Sequence, residues 1–212
     1  MRGLFISVEG VEGSGKSTHC RRLGQWLEAR GLEVVLTSEP DGTPLGSAIR
    51  GLFEKDGGPP TPLTQTFLFM AARQQHVAQV IRPALGRGAV VVSDRYADAT
   101  LAYQGFGRLL DLDRLRWLND WATDSLRSDV TLIFDLPEEL GLTRARSRNS
   151  AAPVDEGRFE LEDLRFFRRM REGYLSLAAS EPDRYVVIDA SGTPEEVFER
   201  TLDVLRKRGV IS

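Results

Sequence analysis

The stretch "LFISVEGVEGSGKST" at residues 4–18 constrains the fold more than any other part of the chain. Its first half is short, apolar and stopped by glycine, the pattern of a buried strand. Its second half, Gly10, Val11, Glu12, Gly13, Ser14, Gly15, Lys16 and Ser17, fits G-x-x-x-x-G-K-[ST]. The glycines let backbone N–H groups turn inward around phosphate oxygens, and a helix starting there adds its positive end. Lys16 then supplies charge for the β- and γ-phosphates, and the Ser17 hydroxyl is placed to ligate Mg²⁺. Such a loop works only between a strand and a helix, so an α/β fold and a nucleoside triphosphate site are expected together. Glu12 is out of place on a loop that faces only anions, so its role has to lie with something else.

The remaining chain agrees with that expectation. Apolar runs at 33–37, 89–94, 130–136 and 184–189 read as four further strands. Helical patterns cover 17–30, 44–53, 64–85, 112–126, 137–146, 159–179 and 194–208, with Leu115, Leu118 and Trp121 as the expected core contacts of 112–126. Strands that alternate with helices predict a five-stranded parallel sheet covered on both faces, in a single domain of 212 residues. The polar stretch "SRNSAAPVDEGR" at 147–158 has no periodicity and is expected to be a short mobile lid. Ligands of such sheets bind beyond the carboxyl ends of the strands. Asp94 and Arg95, which close the run "AVVVSDR", therefore belong beside the phosphate loop, Asp94 for water ligands of Mg²⁺ and Arg95 as a bridge between donor and acceptor phosphates.

Composition narrows the function. A net charge of -3 provides no field that would draw the chain to nucleic acid or an acidic membrane. No apolar run approaches the ~20 residues of a membrane span. Cys20 is the only cysteine, so no intrachain disulfide forms and a cytoplasmic location is expected; on a helix it reads as a packing residue before a reactive thiol. No N-K-x-D tetrapeptide for reading guanine occurs. A motor or nucleic-acid ATPase would need more chain or a basic face. A small-molecule kinase fits, with a non-catalytic NTP-binding regulator as the competing class.

Eight stretches in order, "EGVEGSGKST", "EPDGT", "FLFMAAR", "DRY", "AYQGFGR", "LIFDL", "RARSR" and "RFE" followed by "FFRRMREGYLSLA", make the chain resemble the bacterial thymidylate kinases with basic lids, of the P-loop NTPase fold. The resemblance implies transfer of the γ-phosphate of ATP to dTMP, giving dTDP and ADP in dTTP synthesis, with Mg²⁺ as cofactor and a homodimer as the assembly. Another nucleoside or nucleoside monophosphate is the alternative acceptor. Glu12 would then face the acceptor and take the 3′-hydroxyl of its sugar. Phe69 would stack on thymine, Arg73 would read its edge, Gln104 and Thr100 would sit at the base, and Tyr103 would pack against the sugar. Arg50 would hold the acceptor phosphate together with Arg95. On the ATP side stand residues Gly10 to Ser17, Thr18 and, near adenine, Arg144. Some relatives carry arginine at position 13; Gly13 stands there in this chain, so transition-state charge is expected from lid Arg148 or Arg158. The chain departs from the common "REPGGT" at Ser38 and Asp41, and Ala99 replaces a frequent serine.

Overall fold

The structure, a computed structural model, describes residues 3–53, 60–149 and 164–211. Five strands, β1 (Phe5–Gly10), β2 (Val34–Ser38), β3 (Val90–Asp94), β4 (Val130–Asp135) and β5 (Tyr185–Asp189), form one parallel sheet in the order β2-β3-β1-β4-β5. The expected fold class is therefore the one observed. β1 is buried along its whole length and β3 and β4 nearly so, which is why their sequences run apolar without alternation. From β1 the chain passes over β3 to reach β2; from β3 it crosses β1 to reach β4. That reversal opens a crevice at the carboxyl ends of β1 and β3. Register completes it: Val8 lies opposite Asp94, so the loop after β1 and the residues after β3 emerge side by side.

Nine helices are described: α1 (Lys16–Glu28), α2 (Pro44–Phe53), α3 (Pro62–His76), α4 (Arg82–Gly86), α5 (Ala97–Thr100), α6 (Leu112–Thr123), α7 (Glu138–Asn149), α8 (Leu164–Ser180) and α9 (Pro194–Lys207). α1 buries Leu23 and Leu27 and also Cys20, whose thiol burial pushes well above its ordinary range, in keeping with a packing role. None of the described helices is long and apolar enough to cross a membrane.

Three expectations need correction. The helix read at 64–85 is α3 and α4 joined by a widened π-type turn, Val77–Ile81. Arg82 N–H reaches back to the Val77 carbonyl across it, just before Pro83, which lacks an N–H and would clash in a regular turn. Residues 97–107, to which the sequence pattern assigns no element, are α5 followed by a second π-type turn, Leu101–Gly107. In α6 the buried positions are Leu115, Asn119 and Thr123, while Trp121 stacks beside Trp117 on the opposite face and is 72% exposed. α7 continues to Asn149, so residues 147–149 are helix and not loop. The rest of the expected lid, and the expected helical residues 159–163, lie outside the described residues.

Candidate active site

The phosphate loop is closed by its own side chains. The Val11 carbonyl accepts from Lys16 Nζ at 2.8 Å and from Ser14 Oγ at 2.8 Å. Gly13 has φ +71°, and a Cβ there would lie 2.1 Å from the carbonyl oxygen of Gly141 on α7. No side chain fits at position 13, so an arginine cannot enter the site from there. Lys16 is buried; desolvation first and Arg95 second lower its pKa, against the pull of Glu12 and Asp94. The Ser17 hydroxyl donates to Asp94 Oδ2 across from β3, and Asp94 Oδ1 is buried with no hydrogen-bond partner among the described residues. A hydroxyl and an unsatisfied carboxylate oxygen side by side suit a hard divalent cation.

Arg95 follows β3 in a left-handed conformation, φ +71°, rare for a residue with a side chain. Three bonds hold it. Its N–H donates to the Val8 carbonyl at 2.9 Å, its carbonyl accepts from Ser93 Oγ at 2.7 Å, and the next N–H, of Tyr96, donates to buried Glu9 at 2.7 Å. So aimed, Arg95 Nη2 meets Glu12 Oε1 at 2.6 Å and its guanidinium lies 4.8 Å from the centre of the Tyr103 ring. The Tyr103 hydroxyl donates to the same Glu12 oxygen at 2.6 Å. Burial works against the Glu12 carboxylate, but Arg95, Lys16 and Tyr103 together outweigh it and hold the carboxyl well below its usual range. The acid in the loop is thus a carboxylate tied to Arg95 and Tyr103. The second π-type turn carries Tyr103 and Gln104, and the extra residue per turn lets both line the cleft.

The far wall is an arginine cage. Arg73 of α3 donates Nε to Glu39 Oε2 (2.8 Å), Nη2 to the Tyr96 carbonyl (3.0 Å), and Nη1 to Thr100 (2.9 Å) and Asn119 (2.6 Å), and its Nη2 lies 2.7 Å from Glu39 Oε2 as an ion pair. His76 Nδ1 lies 3.3 Å from Glu39 Oε1, and Asn119 returns a bond to the Ala97 carbonyl at 3.0 Å. Burial opposes the Glu39 carboxylate; Arg73 and His76 overcome it and lower its pKa. Phe69 stacks on Phe53, with ring centres 5.1 Å apart and both rings on the cleft. At the rim Arg50 Nε meets Asp41 Oδ2 at 2.6 Å.

Most of the residues read from sequence converge here: Glu12, Gly13, Gly15, Lys16, Ser17, Thr18, Arg50, Phe69, Arg73, Asp94, Arg95, Thr100, Tyr103 and Gln104 all line one cleft. Gly10, Val11 and Ser14 shape the loop behind it. Arg144 stands apart, donating to the carbonyls of Ala190 (3.1 Å) and Gly192 (3.5 Å) after β5. Arg158 and the side chain of Arg148 lie outside the described residues. Sequence reasoning missed Phe53, Glu39 and Asn119. Phe53 was visible as an apolar helix end; nothing in the sequence marked Asn119.

A switch or a hydrolase needs only water beside its triphosphate loop, whereas this loop opens onto a second cleft walled by an aromatic pair and arginines. That defines the class: a P-loop nucleotide kinase. The chain matches the family described as thymidylate kinase over residues 8–201. It is 53% identical over 213 residues to a thymidylate kinase of Nitratidesulfovibrio vulgaris, covering 99% of this chain and 98% of that one. It is 51% identical over 199 residues to one of Syntrophotalea carbinolica, covering 93% and 92%. The crystal structure of thymidylate kinase from Ehrlichia chaffeensis superposes with a TM-score of 0.77 at 32% identity, over 97% of this chain and 99% of that one. The chain belongs to the thymidylate kinase family. Its reading as a kinase of thymidylate is borne out, and no comparison favours the alternatives.

Proposed function

We propose that this enzyme carries the γ-phosphate of ATP to dTMP along a line from Lys16 through Arg95 to Arg50. Glu12 is the observation that carries the reading: a carboxylate inside a phosphate loop, bonded to Arg95 and Tyr103. In this reading it accepts from the 3′-hydroxyl of the acceptor, while Tyr103 fills the space at the 2′ position. Phe69, backed by Phe53, offers a ring face to thymine, with Thr100, Gln104 and Arg73 at the edge of the base. Arg50 and Arg95 hold the acceptor phosphate, and Lys16 neutralises the donor. Phosphoryl transfer asks mainly for such positioning and charge. Ser17 and Asp94 suit Mg²⁺, Asp94 through water; bound there, the ion neutralises β- and γ-phosphate oxygens.

The described lining carries Lys16, Arg50, Arg73 and Arg95 against Glu12, Glu39, Asp41 and Asp94, a balance of charge that leaves no surplus for two anionic nucleotides. This balance, with position 13 closed to a side chain, supports delivery of further charge by Arg148 at the end of α7 or by Arg158 from a lid that follows it. Arg144, held against the loop after β5, flanks adenine. A homodimer is part of the proposal, supported by Leu63 and Phe67 on α3 and Trp117 and Trp121 on α6, all more than half exposed; sedimentation should find twice the chain mass. A lone buried cysteine suits a reducing cytoplasm.

The test is a panel of nucleoside monophosphates offered with ATP and Mg²⁺. ADP and dTDP should appear in equal amounts, only with dTMP or a close analogue. ATP hydrolysis indifferent to the acceptor would overturn the reading.

A further inference from the structure

Three arginines line the cleft, and donor accounting separates them. Arg73 makes four hydrogen bonds to protein oxygens and a buried ion pair with Glu39. Arg95 gives Nη2 to Glu12. Arg50 is committed only at Nε, to Asp41 Oδ2; its Nη1 and Nη2 bond to nothing else among the described residues. Arg50 therefore has a free fork with which to take two oxygens of an incoming phosphate. The carboxylate on its other side also lines the cleft. That pair is partly open, Arg50 40% and Asp41 33% exposed, against 3% and 7% for Arg73 and Glu39. It is not sealed into the fold, and Ser38 beside it adds no charge.

An anion arriving at Arg50 gains a guanidinium already half neutralised and meets a carboxylate on the same rim. The penalty scales with the charge of the ligand. It is absent for a nucleoside, present for a monophosphate, and largest for the diphosphate product, which carries the most negative charge. We propose that Asp41 is an internal counter-ion of Arg50 that weakens the grip of the site on phosphate, so that dTDP leaves more readily than dTMP would. This rests on the reading that the acceptor phosphate lands on Arg50.

Equilibrium binding of thymidine, dTMP and dTDP to the wild type, Asp41→Asn, Arg50→Ala and the double variant tests it. Asp41→Asn should leave thymidine unchanged and tighten dTMP by about threefold to fivefold, the span of a partly exposed ion pair. It should tighten dTDP more than dTMP, and the gain should shrink in raised salt. In the Arg50→Ala background, where no guanidinium draws the phosphate to the rim, the gain should shrink to the residue of plain repulsion. Asp41→Ser should repeat the pattern, showing that charge and not the amide is responsible. In turnover, KM for dTMP falls without a rise in kcat. Weaker dTMP binding in Asp41→Asn would overturn the proposal, because Asp41 would then serve to orient Arg50. Equal tightening of thymidine, or a gain undiminished by Arg50→Ala, would overturn it as well. A wild type that does not bind dTMP would sink the proposed function itself; a wild type that binds it, with Asp41→Asn unchanged, sinks only the counter-ion.

Discussion

Arg73 and Arg50 stand on the same cleft, each facing a carboxylate, and differ in everything that decides what an arginine is for. Arg73 lies at the inner wall, 3% exposed, hydrogen-bonded to Glu39, Tyr96, Thr100 and Asn119. Arg50 lies at the rim, 40% exposed, with one bond to Asp41. The inner arginine ties together β2, the turn after β3, α5 and α6, so it holds the shape of the acceptor side. The outer one keeps donors in reserve for a ligand. A guanidinium with most of its donors engaged mainly holds structure; one with a free fork can take a phosphate.

Breaking the inner pair is the strongest challenge to this contrast. Glu39→Ala strands a buried guanidinium, which costs about 3–5 kcal/mol, or a fall in Tm of roughly 6–20 °C for a chain of this size. A melting temperature within a couple of degrees of wild type would show that the inner cage is not structural.

Lys16 sharpens the comparison because it is buried like Arg73 yet among the described residues hydrogen-bonds only a neutral acceptor, the Val11 carbonyl. Its charge is held for phosphate and not spent on the fold. Lys16→Ala should lower kcat by ~10²-fold or more while leaving the melting curve little changed. Normal turnover in a folded variant would remove the loop from the mechanism.

Glu9 tests the rule from the acid side. Glu39 has cations upon it and is held down; Glu9, fully buried, receives hydrogen bonds among the described residues from the neutral donors of Ser7, Tyr96 and Tyr174. Burial first and Asp98 second push it from an ordinary 4.5 up to about 8. Between those values the folded chain keeps a proton that the unfolded chain has released, so stability falls as pH rises through the window. Glu9→Gln cannot ionise and should flatten that fall, whose slope is at most about 1.4 kcal/mol per pH unit. Urea midpoints measured across the window decide; parallel curves for wild type and variant would refute the assignment.

The smallest effect belongs to the rim. Asp41→Ala should cost less than about 1 kcal/mol of stability, because a partly exposed pair is worth no more. A loss as large as that of Glu39→Ala would erase the distinction between wall and rim.

Much of this was legible in the chain itself. The phosphate loop, the parallel sheet and the placement of Asp94 and Arg95 followed from local pattern, since a strand–glycine loop–helix run and buried apolar strands are written in consecutive residues. The second π-type turn was not, because "LAYQGFG" carries two glycines and no helical period. Trp121 was misplaced because large apolar side chains on a helix suggest burial, whereas α6 turns Leu115 and Asn119 inward and both tryptophans out.

What the sequence alone determined is the chemistry on offer: a loop for phosphates, carboxylates and arginines near it, and aromatics for a base. Only the tertiary structure decided which of those groups are already used. Arg73 finds Glu39 34 residues before it in the chain and Asn119 46 residues after it. Phe69 finds Phe53 on the neighbouring helix, and Gly13 finds the backbone of Gly141. Whether a donor is satisfied, a ring covered or a Cβ admitted depends on neighbours that the chain brings close only by folding, and those three facts separate the residues that build the cleft from those left free to bind within it.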